Sequence, residues 1–105
     1  MLLSKSSAKV ITAFLKDPTQ EQYGFGLMGS TGVGSGSLYP LLDRLERIGW
    51  VEVHDEVIDE VAEGRPKRRL YRLTGAGQRE GRRAVANFYR DLGPAPSWLP
   101  RLEGT

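Results

Sequence analysis

Two groups of side chains in this 105-residue chain are of types that could do chemistry. The first is a basic run. Residues 65–83 hold Arg65, Lys67, Arg68, Arg69, Arg72, Arg79, Arg82 and Arg83 against Glu80 alone, a local charge of +7. Guanidinium and ammonium groups at this density suit an anionic partner, and above all a line of phosphates. The second group is Ser35, Ser37 and Tyr39, three hydroxyls at the head of an apolar-striped segment. Placed at a helix start, hydroxyls and free backbone amides can meet phosphate or the edges of bases.

Other chemistries are poorly supplied. With no Cys and one His, the chain offers no disulfide, no thiolate metal site, no Cys nucleophile and no His cluster. No Ser/His/Asp constellation, phosphate-binding glycine loop or metal-ligand spacing can be assembled, so neither an enzyme nor a cofactor is expected. His54 falls on the polar side of a strand pattern, as a surface histidine does. The total charge of +2 (15 basic, 13 acidic) hides strong segregation: residues 50–64 carry −6 with no Lys or Arg, directly before the basic run. Such blocks mark a solvated face or an interaction surface, or neutralise each other across a hairpin. At 39% hydrophobic, a chain of this length suits one domain with a modest core. The first ten residues have no apolar run of membrane-spanning or signal-peptide length, so a soluble cytoplasmic protein is expected.

Periodicity supplies the elements that position these groups. Ser6 or Ser7 can cap a first helix bearing Val10, Ile11, Phe14 and Leu15, which Asp17-Pro18 ends. Thr19 and Gln22 match a capping box for a second, short helix weakened by Gly24 and Gly26. Residues 30–34 read as a turn. Leu38, Leu41, Leu42, Leu45 and Ile48 then form one apolar helical stripe, with Ser35 or Ser37 as N-cap, Pro40 near the first turn and Gly49 just past the end. From Trp50 the period falls to two: Val51, Val53 and Val57 on one strand face, Glu52, His54 and Glu56 on the other. A loop at residues 63–66 precedes a second strand, Arg68 to Leu73. Thr74 caps a last helix with the stripe Val85, Phe88, Tyr89 and Leu92, stopped by Gly93-Pro94. The order predicts an α+β, mostly α fold: a winged helix-turn-helix with a two-stranded β wing and a C-terminal helix. One structural unit is expected, divided into a winged helix-turn-helix part at 1–74 and a C-terminal helix with tail at 75–105.

Residues 35–50, Ser-Gly-Ser-Leu-Tyr-Pro-Leu-Leu-Asp-Arg-Leu-Glu-Arg-Ile-Gly-Trp, closely resemble the recognition-helix signature of the PadR family of bacterial transcriptional regulators. Gly64 to Thr74 is similar to that family's wing and second wing strand, and Tyr23-Gly24-Phe25-Gly26-Leu27 to its second-helix motif. Ser35 and Ser37 stand where the family often has Pro and Thr, and the acidic run at 55–63 lengthens the wing.

The resemblance implies a DNA-binding, nucleoid-associated repressor, a homodimer on a palindromic operator, released by a small-molecule effector, aromatic or drug-like. Ser35, Ser37, Leu38, Tyr39 and Arg44 would then lie in the major groove. For Arg44 and Arg47, a solvated face paired with Asp43 or Glu46 is the other reading. Arg65, Lys67 and Arg68 would track phosphates from the wing, Arg69 and Arg72 would pair with Glu52 or Glu56, and Asp59, Glu60 and Glu63 would point away. The C-terminal helix would be a dimerisation helix, with Val10, Phe14, Val85, Phe88, Tyr89 and Leu92 as the candidate dimer interface; packing of that stripe on its own domain is the other reading. Trp98 is a candidate ligand contact, or a packing anchor of the tail. The alternative is a winged-helix module that binds a partner protein without specific DNA binding.

Overall fold

The computed structural model describes residues 2–92. Its elements run α1 (Lys5–Lys16), β1 (Gln22–Tyr23), α2 (Gly24–Thr31), α3 (Ser35–Arg47), β2 (Val51–Asp55), α4 (Glu60–Glu63), β3 (Arg69–Leu73) and α5 (Gly75–Leu92). This is the expected winged helix-turn-helix, mostly helical, with one added strand. β1 joins the hairpin to give a three-stranded antiparallel sheet of order β1-β3-β2.

The apolar stripes build one core. Val10, Ile11 and Phe14 of α1, Leu27 of α2, Leu38, Leu42 and Leu45 of α3 and Val85 of α5 are all essentially without solvent contact. Val51, Tyr71 and Leu73 close that core from the sheet, with Trp50 just ahead of β2. Among the described residues, no helix is long and apolar enough to cross a membrane.

Several boundaries differ from the expected ones for local reasons. The N-cap of α1 is Ser4, whose hydroxyl accepts from the Ser7 amide. The Thr19–Gln22 pair caps nothing: Thr19 donates to the Asp17 carboxylate, and the Gln22 amide donates to the Ala13 carbonyl at 3.1 Å. That second bond ties β1 to α1, so α2 starts later, at Gly24. α3 has Gly34 as its N-cap, so Ser35 and Ser37 lie inside the first turn with their hydroxyls outward. Gly49 follows α3 with φ +80°, a left-handed conformation suited to glycine. β2 ends at Asp55, which leaves Val57 beyond the strand and 98% exposed. The acidic run is not a plain loop. The Asp59 carboxylate accepts from the Val61 and Ala62 amides and starts the single turn α4, which Gly64 ends at φ +68°.

α5 begins as expected at Thr74, whose hydroxyl accepts from the Gly77 amide at 3.0 Å. The same hydroxyl donates to the Gly49 carbonyl at 2.6 Å, and the Thr74 amide donates to the Trp50 carbonyl at 3.0 Å. The start of α5 is thereby fastened to the end of α3.

Candidate nucleic-acid interface

At about 3.6 residues per turn, the buried leucines of α3 define its inner face and fix what the outer face carries. Gly36, Pro40, Asp43 and Arg47 form the outer midline, with Ser37 and Arg44 along one flank and Tyr39 and Glu46 along the other; all eight are exposed. The Tyr39 flank faces α2 and the sheet. A Cβ built on Gly24 would collide with the Tyr39 ring and hydroxyl, so only glycine there lets that ring lie over the start of α2. On the same flank Glu46 comes within 3.8 Å of Arg69 from β3. Between these elements lies an open cleft of about 440 Å³, lined by Tyr23, Phe25, Tyr39, Asp43, Arg68 and Arg69 among others.

The wing holds both charge blocks in contact. Arg72 pairs with Glu52 directly opposite in the β2–β3 register, as the alternation predicts. Arg65, expected to be free for phosphate, instead grips the Glu56 carboxylate with both terminal nitrogens, at 2.7 and 3.2 Å. Glu56 also accepts from the Arg68 amide. The Arg65 guanidinium, helped by that amide, holds the Glu56 carboxyl below the usual carboxylate range, against an opposing push from burial. Arg68 stands over the Tyr23 ring at 4.3 Å from its centre, a cation–π contact that aims it at the cleft. Lys67 is half exposed, 3.8 Å from Asp55. The freer wing cations are therefore Lys67 and Arg68, while Arg65 braces the base of the acidic tip.

The predicted site residues thus separate. Ser35, Ser37, Tyr39 and Arg44 share the exposed surface of α3; Arg68 lies in the cleft beside Tyr39, and Lys67 is on the wing next to Asp55. Leu38 does not belong with them: it is 0% exposed in the core and cannot reach a ligand. Val10, Phe14 and Val85, expected on an exposed interface, are core residues of the single chain, because the α1 and α5 stripes face each other. Phe88 and Tyr89 remain half-buried, edge to face at 5.3 Å. Trp98 and the side chain of Leu92 lie outside the described residues. His54 is a surface residue paired with Glu21 at 2.8 Å.

Sequence reasoning passed over Phe25, 76% exposed at the start of α2 beside the Tyr39 cleft. Its flanking glycines weaken the helical pattern, so no periodicity singled it out.

The model of the transcriptional regulator PadR-like family matches residues 16–83, which include α2, α3 and the whole wing. Among solved structures, a mutant MarR from E. coli superposes with TM-score 0.65 at 23% identity, over 86% of this chain and 60% of its own. A PadR-like transcription factor from Bacteroides fragilis gives 0.63 at 23% identity, covering 82% of this chain and 81% of that one. Reduced AbfR bound to DNA gives 0.64 at 22% identity, with 90% and 61% covered. The chain thus spans about three fifths of the length of the MarR and AbfR structures. No curated protein matches the sequence.

Proposed function

The chain belongs to the PadR-like family of transcriptional regulators, and from that premise we propose that it is a sequence-specific DNA-binding repressor acting as a homodimer on a palindromic operator. The observation that carries this reading is the outer surface of α3, whose exposed hydroxyls and guanidiniums share one side of the molecule with Arg68, set in the cleft beside Tyr39. A helix of this kind fits the major groove, Ser37, Tyr39 and Arg44 reaching base edges or flanking phosphates. The wing cations grip the backbone without reading sequence. The test is fluorescence anisotropy with genomic fragments selected by the protein, at two salt concentrations. With about six phosphate contacts, raising salt from about 50 to about 200 mM should weaken binding about a thousandfold. Binding indifferent to salt would overturn the reading.

One module of this size makes few base contacts, so two half-sites read by two copies are expected. With Val10, Phe14 and Val85 committed to the core, the interface rests on Phe88, Tyr89 and Leu92 in residues 75–105, while residues 1–74 carry the DNA contacts. Phe88→Asp should give monomers in sedimentation; a dimer as stable as the parent's would refute this placement. For a small aromatic effector, the best candidate is a cleft of about 450 Å³ beside Lys9, Thr12, Gln22 and Tyr89. The Thr12 hydroxyl there is buried and lacks a hydrogen-bond partner among the described residues. Trp98 is the tail residue assigned to the same effector.

A specific observation also favours the protein-interaction reading. The wing tip exposes Val57 and Val61 almost completely, beside the acids Asp59, Glu60 and Glu63. Phosphates would repel that tip, whereas a basic protein surface would not. The same titration separates the two readings, since an interaction module has no salt-steep duplex binding.

A further inference from the structure

We infer that Asp43 is a base-reading residue of α3 that selects a cytosine in the bound site. The inference rests on α3 entering the major groove, and it adds a contact not among those assigned above. Three observations carry it. Asp43 lies on the outer midline of α3 with Gly36, Pro40 and Arg47, opposite the buried leucines. It is exposed and makes no hydrogen bond or ion pair with the described residues, whereas Glu46 on the neighbouring turn is engaged by Arg69. The two midline positions before it carry no long side chain, and a Cβ added at Gly36 would meet only open space. The helix backbone can therefore come close to the groove floor, which brings a short carboxylate within reach of base edges.

The chemistry then selects the base. A carboxylate only accepts hydrogen bonds, and phosphates repel it. In the major groove guanine offers two acceptors, and thymine an acceptor and a methyl group. Adenine sets an acceptor beside its amine, and cytosine alone offers an amine with no acceptor next to it. A carboxylate on this midline is thus matched by cytosine and opposed by the backbone, so it lowers affinity for DNA in general while favouring one base.

The test uses the full chain and its Asp43→Ala and Asp43→Asn variants, all with unchanged thermal melts as expected for an exposed site. Each is put through selection from random duplexes, then titrated against the selected duplex and a nonspecific one. The parent should select cytosine at one position of the site. Asp43→Ala should lose that preference, bind the selected duplex about tenfold more weakly and bind the nonspecific duplex more tightly. Asp43→Asn should move the preference toward adenine, whose amine and ring nitrogen match a carboxamide. If Asp43→Ala tightens both duplexes alike and selects the same site, the carboxylate only repels phosphate and the assignment is wrong. If the parent shows no salt-sensitive duplex binding, the major-groove reading fails first and the assignment falls with it.

Discussion

Gly77→Ala is expected to lower the unfolding free energy by about 3 kcal/mol, the upper end of what overpacking a closed core costs. In a domain of this size that amounts to a fall in melting temperature on the order of 15 °C. A Cβ at this position would be driven into the Trp50 carbonyl, 2.8 Å from its carbon and 3.1 Å from Leu73 Cδ2. The obstacle is backbone, so a rotamer change cannot relieve it. That carbonyl also accepts the Thr74 amide, and the Trp50 side chain is buried, so shifting it disturbs both the start of α5 and the core. Urea denaturation of parent and variant measures the loss. Gly36→Ala is the matched control: its Cβ meets nothing within 4 Å, and alanine in a helix should leave stability unchanged or raise it by about 0.5 kcal/mol. Equal stability of Gly77→Ala and the parent would show that the α3–α5 junction is looser than described.

Phe14→Ala should cost about 4 kcal/mol, the usual range for emptying a buried phenylalanine site. Phe14 is 1% exposed and belongs to the cluster formed by α1, α3, α5 and the sheet. Against a total stability of about 5–15 kcal/mol, that leaves a marginal domain. The measurement also separates core from interface. A side chain serving only a dimer contact affects stability through mass action, so its effect grows with protein concentration. The loss in Phe14→Ala should instead persist at concentrations where the parent is monomeric. A loss that vanished on dilution would return Phe14 to the interface.

The correction at Phe14 shows what a sequence pattern carries. An apolar stripe establishes that a helix buries one face, and the stripes of α1, α3 and α5 were all legible. It does not say what covers that face. Val10, Phe14 and Val85 cover one another within a single chain, a fact that lives in the packing of α1 on α5. Leu38 makes the same point from the other side. Its periodicity already placed it with Leu41, Leu42 and Leu45, and only the motif resemblance moved it toward DNA. β1 was invisible because two residues show no alternation; Gln22 and Tyr23 become a strand by pairing with Tyr71 and Leu70. The wing cations were readable by type, but partners depend on register. Arg72 opposite Glu52 follows from strand alternation, whereas Arg65 reaches Glu56 only because α4 folds the intervening residues into a capped turn. Of the exposed surface of α3, Ser35, Ser37, Tyr39 and Arg44 were legible from helical spacing and family resemblance together. The packing of Tyr39 over Gly24 and the exposure of Phe25 required the fold.

In the sheet order β1-β3-β2, β2 is hydrogen-bonded on one side only among the described residues. Its other side is an open row of backbone donors and acceptors, the kind of template on which chains stack into fibres. The strand is five residues long and carries Glu52 and Asp55. Two copies approaching edge to edge would set like charges beside each other. The acidic residues of β2 thus work against polymerisation through the open edge of the wing.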